Sequence, residues 1–232
     1  MSRNPTLLLR ALSALLAYPD AELRAALPEI VEAIRDSRAL DAQHKGQLIA
    51  LADEISNSGA LDAESRYVEL FDHGRRTSLN LFEHVHGDGR ERGSAMVALR
   101  ERYLAAGMEP ASNELPDHLP LLLEYLSCRD LAETKDTIGE IAHILRQLGN
   151  TLLALNSRYA AVMAALLALG REKGLDTHAA APPPEDLDAA WEEQPAFAPP
   201  APKPAAQPIT FHPRRPQSVN PSRSTILPEV PQ

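Results

Sequence analysis

An aspartate and a histidine stand side by side at Asp117 and His118, at the start of a leucine-rich stretch. Pro116 and Pro120 flank the pair and restrict the backbone on both sides of it. A carboxylate next to an imidazole can move a proton, bind a metal ion or recognise a polar ligand. This motif therefore carries the strongest chemical signal in the chain.

Nucleophilic catalysis would need a serine or cysteine activated by that histidine. Ser78 and Cys128 are the candidates, but neither lies in a nucleophile-elbow motif. Asp117 directly precedes His118, whereas the carboxylate that orients a triad histidine comes from another element. The sequence argues against a hydrolase of this type.

A second pair of histidines, His84 and His86, could bind a metal ion only in an extended segment, where residues two apart share one side. The sequence offers no evident third ligand. Cys128 is the only cysteine, so a thiolate zinc site or an iron–sulfur cluster lacks its sulfurs. We therefore predict no metal and no cofactor, and keep a metal-dependent helical hydrolase as the less favoured alternative.

The Asp-His pair has two structural interpretations. Asp117 can cap a following helix by accepting from its free N–H groups, and His118 then begins an apolar stripe that continues with Leu122 and Tyr125. From spacing alone, this cap with a packed histidine is favoured. The alternative is a polar pair at the edge of a groove that binds a peptide backbone or an arginine.

Composition favours helices over sheets. Apolar residues make up 44% of the 232 positions but aromatic residues only 4%, so alanine and leucine must supply the core. The net charge of -9 argues against binding to nucleic acid, because an acidic surface repels phosphates. We predict an all-α protein with a single compact multi-helix domain.

The apolar spacing predicts a series of helices. Pro28 is expected to separate a short turn from the helix that it opens. Gly149 and Asn150 are expected to separate two long helices that pack along a leucine seam; the rival interpretation of that seam is a helical dimer. The predicted helical segments are 7–17, 21–26, 29–38, 42–57, 63–71, 91–106, 131–148 and 151–172.

Both ends of the chain have a distinct character. Arg10 interrupts the first apolar run, which favours an amphipathic helix over an export signal. No segment has the apolar length of a membrane span, so we predict a cytoplasmic protein without membrane insertion. Fourteen of the 20 prolines lie after residue 177. We therefore predict a helical domain over 1–175 and a disordered, Pro/Ala-rich tail over 176–232.

Three separate motifs resemble one known family. Residues 67–75 (YVELFDHGR), 79–87 (LNLFEHVHG) and 113–120 (NELPDHLP) are similar to the NarJ-type nitrate reductase assembly chaperones, within the redox-enzyme maturation chaperones. The three motifs occur in the family's order, and the resemblance extends over roughly 1–175. The Pro-rich tail lies outside it.

The resemblance implies a helical chaperone that is not an enzyme. Such chaperones bind the apo catalytic (alpha) subunit of respiratory nitrate reductase, chiefly through its N-terminal segment. They keep that subunit competent for insertion of the molybdenum cofactor and delay its docking on the membrane subunit. A chaperone or signal-peptide-binding protein for another molybdoenzyme is the alternative.

The resemblance also implies a client-peptide groove lined by the Asp-His motif and nearby apolar residues. The residues matched by motif position, or adjacent to the motifs, are Pro116, Asp117, His118, Tyr67, Phe82 and Tyr125.

Overall fold

A computed structural model describes residues 6–72, 76–85, 90–109 and 114–176 of the chain. Within these ranges there are eight α-helices, one short 3-10 helix at Leu81–His84 and no β-strand. The predicted all-α fold is confirmed. The α-helices are α1 (Thr6–Leu15), α2 (Ala21–Asp36), α3 (Ala42–Asn57), α4 (Ala60–Phe71), α5 (Arg90–Ala105), α6 (Leu119–Ser127), α7 (Leu131–Ala154) and α8 (Ala160–Gly170).

The helices pack in a closed order around a leucine-rich core. α1 packs between α6 and α2, α2 contacts α3, α3 contacts α8, and α8 lies along α7, which returns to α6. Leu12, Leu48, Leu122 and Leu166 are among the side chains with no exposed surface. Each fully buried leucine stabilises the fold by roughly 1.5–3 kcal/mol relative to exposure, so aromatic residues are not needed to fill the interior.

Aspartate caps begin three of the helices. Asp20 accepts from the N–H of Leu23 at 2.8 Å, and Asp41 accepts from the N–H of His44 at 2.9 Å. The predicted cap at Asp41 is therefore confirmed. Asp130 caps α7 in the same manner. At the end of α5, Gly107 has a φ of 75° and stops the helix as predicted, because a side chain is strained in that conformation.

The predicted break at Pro28 is wrong. α2 runs without interruption through Pro28, which costs about 3 kcal/mol in a helix interior. Leu23, Leu27, Ile30 and Ile34 form one buried stripe on both sides of the proline. Burial of this continuous stripe outweighs the lost hydrogen bond.

The predicted break at Gly149 and Asn150 is also wrong. α7 continues to Ala154, and the turn lies beyond it, where Asn156 adopts a φ of 55°. Gly149 instead allows α8 and the segment that follows it to pack closely on α7. A Cβ at this position would lie 2.9 Å from the Cβ of Met163 on α8 and 2.5 Å from Cδ2 of Leu175. The leucine seam is consequently buried within the chain, although Leu155 falls in the turn and is 53% exposed.

Three further predictions concern the start of α4, membrane-spanning helices and the C-terminal tail. α4 begins at Ala60, three positions before the predicted start. No helix in the described ranges combines the length and the apolar character that crossing a membrane requires. Residues 177–232, which include nearly all of the predicted tail, lie outside the described residues.

The close approach at Gly149 can be tested by adding a methyl group. Gly149→Ala should destabilise the domain by about 1–3 kcal/mol, because α8 must move away from the new Cβ. Gly46→Ala is the matched control, since a Cβ on this exposed glycine of α3 would have no atom within 4 Å. Alanine should stabilise that helix by about 0.5–1 kcal/mol. Equal increases in thermal midpoint for both variants would contradict the packing role of Gly149.

Candidate functional site

The second and third family-like motifs are joined by backbone hydrogen bonds. The N–H of Leu119 donates to the carbonyl of Leu79 at 2.9 Å, and the N–H of Leu81 donates to the carbonyl of Asp117 at 3.1 Å. Asn80 and His118 thus face one another in an isolated antiparallel bridge. Two segments distant in sequence therefore form one structural unit.

Asp117 supports this unit from the inside. Its side chain is fully buried, and Oδ2 accepts from the N–H of Phe82 at 2.8 Å, at the start of the 3-10 helix. Oδ1 has no hydrogen-bond partner among the described residues. Burial raises the pKa of the Asp117 carboxyl above its ordinary value, while the Phe82 N–H and the charge of Arg92 oppose this shift.

The prediction that Asp117 caps the following helix is wrong. The N-cap residue of α6 is His118, whose side chain makes no capping hydrogen bond, and Pro120 occupies the second helical position. The Asp117 carboxylate instead accepts a hydrogen bond from the N–H of Phe82, across the bridge. A proline early in α6 removes one of the donors that would otherwise need a cap.

The role of the Asp117 carboxylate can be separated into its hydrogen bond and its charge. Asp117→Ala should destabilise the fold by about 1–3 kcal/mol, because the buried Phe82 N–H loses its acceptor. Asp117→Asn retains an acceptor oxygen and should be far less damaging in chemical denaturation. Asp53→Asn, at an exposed position of α3, is the control for loss of one negative charge.

The raised pKa of Asp117 also predicts a dependence on pH. When burial raises the pKa of a carboxyl in the folded state, the folded state binds its proton more tightly than the unfolded state does. The contribution of that proton to stability is fully present below the ordinary pKa, 3.8, and is lost as pH rises through the folded-state pKa. Asp117→Asn should therefore gain stability relative to the unmodified chain as pH rises from about 4 to about 7. If Asp117→Asn instead lost stability relative to the unmodified chain as pH rises, the raised pKa of Asp117 would be contradicted.

The His118 side chain points outward from the same unit. It is 19% exposed, and its Nδ1 lies 3.9 Å from Oε2 of Glu114. Burial lowers the pKa of the His118 imidazole, and the Glu114 carboxylate opposes that shift. The ring is therefore mainly neutral at neutral pH and can accept or donate a hydrogen bond to a ligand.

His118 lines a groove of about 440 Å³ between α4, α6 and the segment that ends α1. Tyr67 and Phe71 form its aromatic floor, with their ring centroids 4.9 Å apart. Tyr18 meets the Tyr67 ring edge-on at one side of the groove, at 5.6 Å. The hydroxyl of Tyr67 donates to the carbonyl of Leu16 at 2.8 Å, which fixes the floor against the end of α1.

The rim of this groove is acidic. Asp72, Glu114 and Glu124 line it and are exposed, and no lysine or arginine occurs among the described residues that line it. An aromatic floor beneath carboxylates is suited to a ligand with apolar and cationic groups. We name this site the acidic groove.

The acidic groove contains only two of the six predicted site residues, Tyr67 and His118. Asp117 and Phe82 lie buried behind its wall. The carbonyl of Pro116 accepts from the hydroxyl of Tyr103, which fixes the turn that leads into the motif. Pro116, Asp117 and Phe82 therefore position the groove wall.

Tyr125 belongs to a different cluster. Its hydroxyl donates to Glu133 at 2.6 Å and accepts from Arg102 at 3.2 Å, so it joins α5 to α6 and α7. The sequence reasoning also missed Tyr18, Phe71, Asp72, Glu114 and Glu124. Phe71 and Asp72 lie within the first motif and Glu114 within the third, so these three had a signal. Tyr18 and Glu124 lie outside the motifs.

A larger groove of about 730 Å³ lies on another face, between α3 and α8. Its floor contains the small residues Ala161, Ala164 and Ala168. None of the six predicted site residues lines it. We name it the alanine groove; the motif residues do not point to it.

Metal-ligating side chains are not clustered in the described part of the chain. No group of three or more His, Cys, Asp or Glu residues there is arranged to hold a metal ion. Nε2 of His84 lies 2.8 Å from the carbonyl oxygen of Ser78, consistent with a structural hydrogen bond. His86 lies outside the described residues.

A comparison with known protein families agrees with the family resemblance of the three motifs. The nitrate reductase delta subunit family matches residues 17–165, which include α2 to α7 and part of α8. The chain belongs to this family. The predicted resemblance to NarJ-type proteins is confirmed.

Individual relatives of this family cover most of the chain. NarJ of Escherichia coli K12, a nitrate reductase molybdenum cofactor assembly chaperone, is 43% identical in an alignment 191 positions long that covers 78% of this chain and 80% of the relative. NarW of the same strain, named a probable chaperone of that kind, is 35% identical over 81% of each chain. The Bacillus subtilis protein named probable NarJ is 31% identical over 68% of this chain and 85% of its own length.

These nitrate reductase delta subunit relatives bear the names of assembly chaperones, not of catalysts. The prediction that this chain is not an enzyme is thereby confirmed.

Proposed function

We propose that this chain is an assembly chaperone that binds the apo catalytic (alpha) subunit of a respiratory nitrate reductase in the acidic groove. The ligand is the subunit's N-terminal segment. Binding keeps the subunit competent for insertion of the molybdenum cofactor and delays its docking on the membrane subunit. The complex forms in the cytoplasm, as the sequence predicts.

The observation that carries this proposal is the composition of the acidic groove. Tyr67 and Phe71 offer aromatic surface to an apolar side chain, and Glu114 and Glu124 offer carboxylates to a basic one. His118 adds a neutral ring that can hydrogen-bond to a peptide. An amphipathic peptide with apolar and basic residues satisfies all three features.

The rigid wall of the groove favours binding. The bridge between Asn80 and His118, together with the buried Asp117, holds the wall before any ligand arrives. A preformed site loses less conformational entropy on binding than a site that must order itself. No covalent step is required.

The chaperone effect then follows from mass action. A partner that binds only the unfinished subunit stabilises that state by an amount that rises with the chaperone concentration. While the N-terminal segment occupies the groove, the membrane subunit cannot use it. Completion of the catalytic subunit would have to weaken this contact for release.

The proposal predicts that the groove carboxylates contribute to peptide affinity. Glu114→Gln with Glu124→Gln should weaken binding of a synthetic peptide of the client's N-terminal segment about tenfold, because two partly exposed ion pairs contribute about 1.4 kcal/mol together. Isothermal titration calorimetry measures the affinity. The loss should be smaller at high salt, which screens the same charges.

The matched control is Glu29→Gln with Glu32→Gln, which removes two exposed carboxylates from α2 on another surface. Its affinity should equal that of the unmodified chain. An equal loss of peptide affinity in both double variants would show that only net charge matters. No loss of affinity in either variant would exclude the acidic groove as the peptide site. A peptide from another molybdoenzyme that binds more tightly would identify that enzyme as the client.

A further inference from the structure

The last described residues reverse direction after α8. Arg171 adopts a φ of 62°, and the following residues run back along α7. Arg146 donates to the carbonyl of Lys173 at 3.1 Å, and Asn150 accepts from the N–H of Asp176 at 2.9 Å. The chain therefore leaves the described domain in the direction of the C-terminal end of α7.

That end of α7 adjoins the aromatic floor of the acidic groove. Tyr159, in the connection from α7 to α8, has its ring centroid 5.0 Å from that of Phe71 and 6.3 Å from that of Tyr67. Gly174 and Leu175 line the alanine groove, so the described chain ends beside that groove, and the residues that follow must extend past the end of α7 to reach the acidic groove.

The sequence after Asp176 contains a segment that complements the groove. From Lys203 to Arg223 there are four lysine or arginine residues and no aspartate or glutamate. Residues 209–215 (ITFHPRR) combine an isoleucine, a phenylalanine and two adjacent arginines. This is the combination of apolar and cationic groups that the acidic groove is built to accept.

Each part of the segment has a matching surface. Phe211 can pack on the rings of Tyr67 and Phe71, since aromatic pairs gain energy beyond simple burial. Arg214 and Arg215 can each pair with a carboxylate of the rim through two parallel hydrogen bonds. In the alanine groove, Glu54 already pairs with Arg158 at 2.8 Å and with Arg66 at 2.6 Å, and Arg158 itself lines that groove and would repel a cationic segment.

The intervening chain is long enough. From Asp176 to Phe211 the backbone extends up to about 115 Å. A compact domain of this size is roughly 40 Å across. A tethered segment experiences an effective concentration on the order of millimolar, so even a weak interaction fills the site.

We infer that residues 209–215 dock in the acidic groove as an intramolecular ligand that a client peptide must displace. This inference rests on the proposed function, because it gives the client and the tail the same site. Tail docking lowers the fraction of chaperone that is open, and the apparent client affinity falls by that fraction. A weakly binding peptide is thereby rejected, while a good client displaces the tail.

Photo-cross-linking of the full chain tests the docking directly. Phe211 is replaced by p-benzoylphenylalanine, the chain is irradiated without a client, and cross-linked fragments of the monomer are identified by mass spectrometry. We expect cross-links to residues 67–72 and 114–121. The same replacement at Phe197, in the acidic part of the tail, should give several-fold fewer cross-links to these residues.

Charge variants supply the matched control. Arg214→Ser with Arg215→Ser should reduce the cross-links from position 211 several-fold, whereas Lys203→Ser with Arg223→Ser removes the same charge and should leave them unchanged. Cross-links to the alanine groove, to a second copy of the chain, or to no site would overturn the inference.

Peptide affinity separates this inference from the proposed function. In the full chain, Arg214→Ser with Arg215→Ser should bind the client's N-terminal peptide about tenfold more tightly, and the peptide should suppress the cross-links. Groove cross-links without any effect of the peptide would support tail docking and overturn the groove as the client site. Absence of groove cross-links, with peptide binding still sensitive to Glu114 and Glu124, would overturn tail docking alone.

Discussion

The contact between the Asp117 carboxylate and the Phe82 N–H holds together the wall of the acidic groove, the surface that we propose to bind the client. Neither partner is exposed, and the surrounding bridge joins two segments that have no regular sheet to support them. An acceptor oxygen at this position provides a hydrogen-bond partner for a backbone donor at the start of the 3-10 helix. The His118 side chain can then face the groove because its neighbour faces the interior.

The opposite orientations of the two side chains decide between the two interpretations of the Asp-His pair. The favoured one from spacing made Asp117 a helix cap and His118 a packed residue; the other made both residues part of a site. In the structure Asp117 is structural and His118 lines the groove. Adjacent residues on an extended segment point to opposite sides, which is why one pair can serve both purposes.

The sequence predicted the fold well where local chemistry decides. Asp41 begins a helix and Gly107 ends one, as their residue types dictate. It was wrong at Pro28 and Gly149, where a residue that breaks helices locally is held in one by packing. Such packing depends on partners distant in sequence, which a local pattern does not contain.

The candidate site was predictable in part for the same reason. Tyr67 and His118 belong to motifs and line the acidic groove, whereas Tyr18 and Glu124 lie outside the motifs and approach them only in the folded chain. Phe82 and Tyr125 were assigned to the groove as apolar residues near the motif, yet both face the interior. Nearness in sequence to a motif does not decide which side of the wall a side chain occupies.

Hydrogen–deuterium exchange of the full chain, with and without the client's N-terminal peptide, tests the central claim most directly. Amide exchange reports local opening along the whole backbone, so it does not presuppose a site. We predict that the peptide slows exchange at residues 67–72, 78–82 and 114–121, which form the acidic groove and its wall. Slower exchange confined to residues 43–47 and 160–175 would place the client in the alanine groove and contradict the account.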